Sequence, residues 1–264
     1  MKTPIFAAAL LSLSGVSLLH AQPQPPLIRA NSAVNAASLI PPGLPNYGVA
    51  QGSMFSVKGQ NLTIRMPQFT TASSPLPLTL AGSSMQITIA GAKVDVPMVY
   101  ATVDQLAGIV PSTTPLGDGT ITVTLNGRTS APDSITIVPR AFGIFTLNHS
   151  GAGPGVFTGP GLAVNLGAAQ RLIGPFFPDS TFGGNSLVAA AHPGDQLVIW
   201  GTGLGPIAGD DAAQPPAGNL DAPVEMYVGN VKADVASQGR ASCCSGEATS
   251  ALTDRKSTRL NSSH

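Results

Sequence analysis

Charge is the scarcest property of this sequence. Asp, Glu, Lys and Arg make up 10% of the 264 residues, against about 25% in an average soluble domain. The 13 basic and 13 acidic side chains cancel, so the chain lacks the basic stripe that a nucleic-acid-binding surface needs. Cysteine is almost missing: Cys243 and Cys244 are neighbours and the only two. They give no disulfide framework, so stability has to come from packing. With no second Cys or His pair close in sequence, they do not read as a zinc site. A strained bond between the two, pairing elsewhere and free thiols all remain open. Aromatic residues are 5% of the chain, with a single tryptophan, Trp200. Beyond the N-terminus no apolar run approaches the ~20 residues that span a bilayer.

What the sequence does have is turn chemistry. There are 30 Gly and 24 Pro, neither suited to helix interiors, and Val, Ile and Thr are common between them. Short strands joined by many turns are expected, hence an all-β sandwich or barrel. The first 21 residues differ. Lys2, then an apolar stretch from Ile5 to Leu19, then Leu19-His20-Ala21 form a secretory signal peptide pattern (1–21). The mature chain is expected outside the cell or at its surface, soluble and without a membrane span.

An extended, Pro- and Asn-rich segment (22–48) leads into the first strand-rich region, 49–140. There "SMFSVKG", "GTITVTL" and "SITIV" alternate apolar and polar residues between Gly, Pro, Asn and Asp punctuation. Residues 141–190 are Gly-rich with weak periodicity and read as a linker with one short hairpin. Strand signals return over 191–253. "AQGSMFSVKGQNL" (50–62) aligns with "HPGDQLVIWGTGL" (192–204), and "MQITIAGAKVDV" (85–96) aligns with "VEMYVGNVKADV" (224–235). Two blocks in the same order and phase indicate an internal repeat, with an immunoglobulin-like sandwich of about 100 residues as the unit. Met85–Val96 and Val224–Val235 are expected to be matching hairpins. Their two-residue turns would be Ala90-Gly91 and Gly229-Asn230, with Ile87 opposite Val94 and Met226 opposite Ala233.

The motifs "AVNAAS", "GSMFSVKGQNL", "GDGTITVTLNG", "HPGDQLVIWGTGLG" and "GRASCCSG" resemble, in their order, a family of secreted acidobacterial proteins of unknown function. That family carries Solibacter-type repeats with an immunoglobulin-like, TIG-like fold. The resemblance covers about Ala33 to Gly246. It implies tandem immunoglobulin-like β-sandwich repeats and an extracellular setting, and it brings no catalytic residues. After Gly246 the second repeat leaves the pattern and is expected to be truncated. The final stretch, "DRKSTRLNSSH" (254–264), is similar to a translated sequencing-library adapter and is set aside from the fold. Residues 22–253 then hold nine basic and twelve acidic side chains, a net charge of about −3.

Chemistry is sparse as well. His149 and His192 lie in Gly/Pro-rich loops, and there is no G-x-S-x-G elbow and no H-E-x-x-H. "GAGPG" and "GTGLG" fit no phosphate-binding pattern and read as turns. Asp210, Asp211, Asp221 and Glu225 could supply Ca²⁺ oxygens, but their spacing is not that of an EF-hand, so a solvated acidic loop is expected. Alternation sets Trp200 on the outward side of its strand, where it could contact a ligand or cover a loop. A carbohydrate platform needs several aromatics, and Tyr47, Tyr100 and Tyr227 are widely spread along the chain. The expectation is a non-enzymatic protein without catalytic residues, metal or cofactor, acting through an extracellular protein or glycan. The alternative is a carbohydrate-binding or accessory module of a larger secreted enzyme.

Overall fold

Alternation and tight turns dictate the first half of the fold. In Ser83–Ile89 every second side chain is buried, with Met85 at 1%, Ile87 at 0% and Ile89 at 3% exposure. Ser84, Gln86 and Thr88 face the other way. The strand ends at Ala90-Gly91, where φ is +48° and +86°, so both central residues are left-handed, as a type I′ hairpin turn requires. The return strand pairs Ile89 with Ala92, Thr88 with Lys93, Ile87 with Val94 and Gln86 with Asp95. This is the register expected from sequence. Ala92 is exposed at the rim, while Val96 is fully buried.

The computed structural model describes residues 24–64, 70–153, 155, 157–160, 170–173, 188–189, 196–213, 220–228, 231–240 and 248–253. The signal-like segment 1–21, His192, the Gly229-Asn230 turn, both cysteines and the tail 254–264 lie outside the described residues. The strands are β1 (Leu27–Ile28), β2 (Val34–Asn35), β3 (Val49–Ala50), β4 (Met54–Gln60), β5 (Thr70–Thr71), β6 (Ser83–Ile89), β7 (Ala92–Asp95), β8 (Met98–Ala101), β9 (Gln105–Ile109), β10 (Gly117–Leu125), β11 (Arg128–Thr129) and β12 (Asp133–Val138). They continue with β13 (Gly143–Ile144), β14 (Phe157–Pro160), β15 (Gln170–Ile173), β16 (Val188–Ala189), β17 (Gln196–Thr202), β18 (Met226–Val228), β19 (Val231–Arg240) and β20 (Ala248–Thr253). The protein is all-β: the described residues contain no helix, and so none long and apolar enough to cross a membrane.

Strands β1 to β12 make two six-stranded sheets. One runs β1-β4-β9-β8-β5 with β2 beside β4; the other runs β3-β12-β10-β6-β7 with β11 beside β10. Pairing is antiparallel except at β3, which lies parallel to β12. Both sheets feed one core. Phe55, Val57, Met98 and Leu106 come from the first, and Met85, Ile87, Ile121, Val123, Ile135 and Ile137 from the second. Gly108 of β9 packs closely against the segment between β7 and β8: a Cβ there would lie 2.4 Å from Val96 Cγ1 and 2.8 Å from the Pro97 carbonyl and from Met85 Cε of the second sheet.

The remaining strands form one eight-stranded sheet, β16-β15-β14-β17-β20-β19-β18, with β13 beside β17. Within 141–190, β14 and β15 pair as an antiparallel hairpin, and β14 pairs with β17. Under the repeat alignment β17 starts and stops at the positions of β4. The β18–β19 pairs, Met226 with Ala233, Tyr227 with Lys232 and Val228 with Val231, reproduce those of β6–β7. The assembly differs, however. β4 and β6 sit in facing sheets, whereas β17 and β18 share one sheet, because β20 pairs with both β17 and β19.

Candidate functional site

The outer face of the first sheet is where the two halves meet. Since Phe55 and Val57 point into the core, Met54, Ser56 and Lys58 point outward from β4. The β9 register places Ile109, Ala107 and Gln105 opposite them. At one end this face is dry: Met54 and Ile109 pack with Leu76, Ala36, Ala72, Val99, Phe145 and Ala212. At the other end Lys58 is exposed. Between the ends lies a cavity of about 560 Å³, within the roughly 300–1,000 Å³ usual for small-molecule sites.

Three walls enclose it. Met54, Lys58, Val99, Tyr100 and Gln105 form the floor; Ala36, Ala37 and Leu39, following β2, form one side; Phe145, Thr146, His149 and Trp200 form the other. Trp200 is half-buried and its neighbour Ile199 is buried at 4% exposure, so alternation has set the indole on the face turned toward the first sheet. The backbone N–H of Phe145 donates to the Trp200 carbonyl at 3.0 Å, which ties the two aromatic wall residues together. Across the floor, the Gln105 amide donates to the Tyr100 hydroxyl. Burial pushes the Tyr100 hydroxyl above its ordinary range, against the lowering effect of that hydrogen bond. The phenol is therefore a neutral donor at physiological pH. Among the described residues that line the cavity, Lys58, Tyr100 and His149 are ionisable and none is a carboxylate.

The aromatic spacing along the chain therefore misleads. Tyr100, Phe145 and Trp200 come from distant segments and meet at one cavity. Tyr47 and Tyr227 are not part of it.

The cavity is held open by a polar joint. Asn35, 2% exposed, uses its whole amide: Nδ2 donates to the carbonyls of Ala141 at 2.8 Å and Thr202 at 3.3 Å, while Oδ1 accepts from Ala37 N and Ser38 N. The Met54 N–H donates to Thr202 Oγ1 at 2.8 Å. Deeper in the joint, Arg240 Nη2 donates to Asp211 Oδ1 at 2.7 Å and to the Gly52 carbonyl at 2.5 Å. Asp211 also accepts from Ser112 N and Oγ. The two charged side chains are 3% and 7% exposed.

The expected solvated acidic loop is thus corrected at Asp211, which is buried and ion-paired. The other three carboxylates do not join it. Asp210 caps the Ala212 N–H, Asp221 is exposed, and Glu225 accepts from Lys232 Nζ at 2.5 Å on the exposed face of the second hairpin. Among the described residues no three metal-ligating side chains gather. The glycines of "GTGLG" serve turns and close contacts: φ is +108° at Gly203 and +118° at Gly205, and a Cβ on Gly201 would lie 2.3 Å from the Gly143 carbonyl.

No protein-family model matches the chain, and no curated protein does. Among solved structures, a proposed DNA-binding protein from Bacteroides vulgatus is 16% identical over 44% of this chain, with a TM-score of 0.30. The match spans about half of that protein, 49%. Domains 5–6 of the S-layer protein SbsC are 12% identical over 89% of this chain and 87% of theirs, with a TM-score of 0.19. A longer piece, domains 4–9, gives 12% identity over 89% of this chain and 28% of that one, with a TM-score of 0.18. Likenesses of this size assign neither fold family nor function.

Proposed function

We propose that this is a secreted, non-enzymatic binding protein, an immunoglobulin-like unit joined to a second copy of the same sequence unit, with the cleft between them as its binding site. The observation that carries the reading is the cavity itself: three aromatic rings and a few polar groups converge on about 560 Å³ at the junction of the two halves, the kind of place where ligands bind. The strand order supports the immunoglobulin-like part. β1, β4, β9 and β8 take the places of strands A, B, E and D, and β12, β10, β6 and β7 those of G, F, C and C′. The secreted setting rests on the N-terminal sequence pattern. The absence of a nucleophile–base motif in the sequence favours binding over turnover.

A second reading, a carbohydrate-binding module acting beside an enzyme, is favoured by the meeting of Tyr100, Phe145 and Trp200. The experiment for both is a glycan and protein array probed with the mature chain and with Trp200→Ala. Specific binding lost in the variant is expected. Binding that Trp200→Ala leaves untouched would move the site elsewhere, and turnover of any arrayed substrate would overturn the non-enzymatic reading.

A further inference from the structure

Resting on the cleft as the binding site, we infer that its ligand is an acidic saccharide, a pyranose chain carrying carboxylate groups. The ring surfaces come first. Tyr100, Phe145 and Trp200 line one cavity, and aromatic faces suit the C–H face of a sugar ring. Charge decides the rest. Residues 22–253 carry a net charge of about −3, yet among the described residues the cavity lining includes the cation Lys58 and no carboxylate. A cation set into the wall of a concave, partly apolar site focuses its field on an incoming anion.

Lys58 is placed for this. It is exposed, its backbone is fixed in the β4–β9 ladder opposite Gln105, and no carboxylate among the described residues is paired with its ammonium. Gln105, Tyr100, Thr146 and His149 supply the donors and acceptors that sugar hydroxyls need. A purely apolar ligand would give the Lys58 ammonium no counter-charge, and a cationic one would be repelled. The cavity volume exceeds that of a single sugar ring, so a short oligosaccharide fits better than a monosaccharide.

Trp200 is the only tryptophan, so intrinsic fluorescence reads the site directly. The test titrates the mature chain with trisaccharides of galacturonate, glucuronate, mannuronate and guluronate, each as the free acid and as the methyl ester. The free monosaccharides form a further arm. At least one acid trisaccharide should shift Trp200 emission and bind at least tenfold more tightly than its ester and its monosaccharide. Lys58→Gln should weaken acid binding at least tenfold more than ester binding and so remove the preference for the acid. Trp200→Phe, followed by calorimetry, should weaken both forms. Equal binding of acid and ester, or an acid preference that survives Lys58→Gln, would overturn the inference while leaving the cleft as a site for neutral sugars. If no saccharide binds but a protein partner does so through Trp200, the acidic-saccharide inference fails and the binding cleft stands. If nothing bound by the protein depends on Trp200, both fail.

Discussion

Lys58 and Trp200 are the fifth residues of β4 and β17, the strands that the alignment of 50–62 with 192–204 sets against each other, and both line the same cavity. The two aligned segments thus differ where they face each other. One strand supplies charge and the other an aromatic ring, while both are followed by glycine, Gly59 and Gly201. Each glycine sits where a side chain would strike backbone. A Cβ on Gly59 would lie 2.1 Å from the Leu27 carbonyl, and one on Gly201 would lie 2.3 Å from the Gly143 carbonyl. A common strand frame carries different chemistry at one outward position.

Because Trp200 is half-buried in that cleft, its emission should respond to the junction of the two halves. Replacing Ala36 or Ala37, which line the opposite wall, by Trp would crowd the cavity. The expected outcome is a shifted Trp200 emission with acrylamide quenching reduced, measured against the same substitution in a Trp200→Phe background. An unchanged Trp200 component would mean that the walls do not approach as described.

The β6–β7 hairpin gives a sharper test of register. Ile87 is fully buried, whereas Lys93 is exposed. Ile87→Asp should cost more than about 4 kcal/mol, the scale for exchanging a packed core side chain for an unpaired buried charge. Lys93→Ala should change stability by less than about 0.5 kcal/mol. Chemical denaturation of the two variants checks both values, and comparable losses would contradict the pairing.

That hairpin was legible in the sequence because each rule it obeys is local. The alternation of Met85, Ile87 and Ile89 and the Ala90-Gly91 turn lie within a few residues. The cleft was not legible, because Tyr100, Phe145 and Trp200 are brought together by strand order. Distance along the chain says nothing about that order. Asp211 failed for the same reason: its partner Arg240 is 29 residues away, so a loop carboxylate looked solvated. The alignment of the two sequence blocks predicts the β17 and β18–β19 strands but not their union in one sheet. That depends on β20, whose sequence has no counterpart in the first copy's alignment.

Tyr100 sets a pH dependence. Its hydroxyl titrates above the ordinary value, chiefly because burial disfavours the phenolate. For a raised folded-state value, the stabilisation is complete below the unfolded value of about 10 and is lost as pH rises through the folded one. Tyr47 shifts in the same direction for the same leading cause. Thermal stability should therefore lack any tyrosine contribution to its slope between pH 7 and 9 and should fall above about pH 10. Tyr100→Phe should flatten part of that alkaline fall. An unaltered alkaline limb would mean that Tyr100 is not buried in the cleft floor.

The sheet-to-sheet contact at Gly108 should tolerate almost nothing. A Cβ there meets Val96 Cγ1, Met85 Cε and the Pro97 carbonyl at 2.4, 2.8 and 2.8 Å, and a carbonyl cannot swing away as a side-chain end can. Gly108→Ala should destabilise by about 1–3 kcal/mol through overpacking. Adding Val96→Ala should recover part of the loss, because it removes the nearest atom. A scan of melting temperatures over the two single variants and the double variant decides it.

The buried pair Asp211–Arg240 should make the two halves unfold together. Arg240 reaches from the end of β19 to the Gly52 carbonyl in the turn between β3 and β4, and Asp211 binds both Ser112 and Arg240. At 3% and 7% side-chain exposure, neither charge is well solvated, so the pair itself need not add net stability over apolar substitutes. Removing one partner is different, because the survivor stays buried without its counter-charge. Asp211→Ala should therefore cost about 3–5 kcal/mol, and Arg240→Met a similar amount. The Asp211→Ala/Arg240→Met double variant should lose less than the sum of its parts by more than about 1 kcal/mol. The wild type should show one cooperative transition by tryptophan fluorescence, which reports the second half, and by far-ultraviolet circular dichroism, which reports both. Asp211→Ala should separate the two probes, with the Trp200 signal lost at lower denaturant. Additive losses with coincident transitions in every variant would show that the joint does not couple the halves.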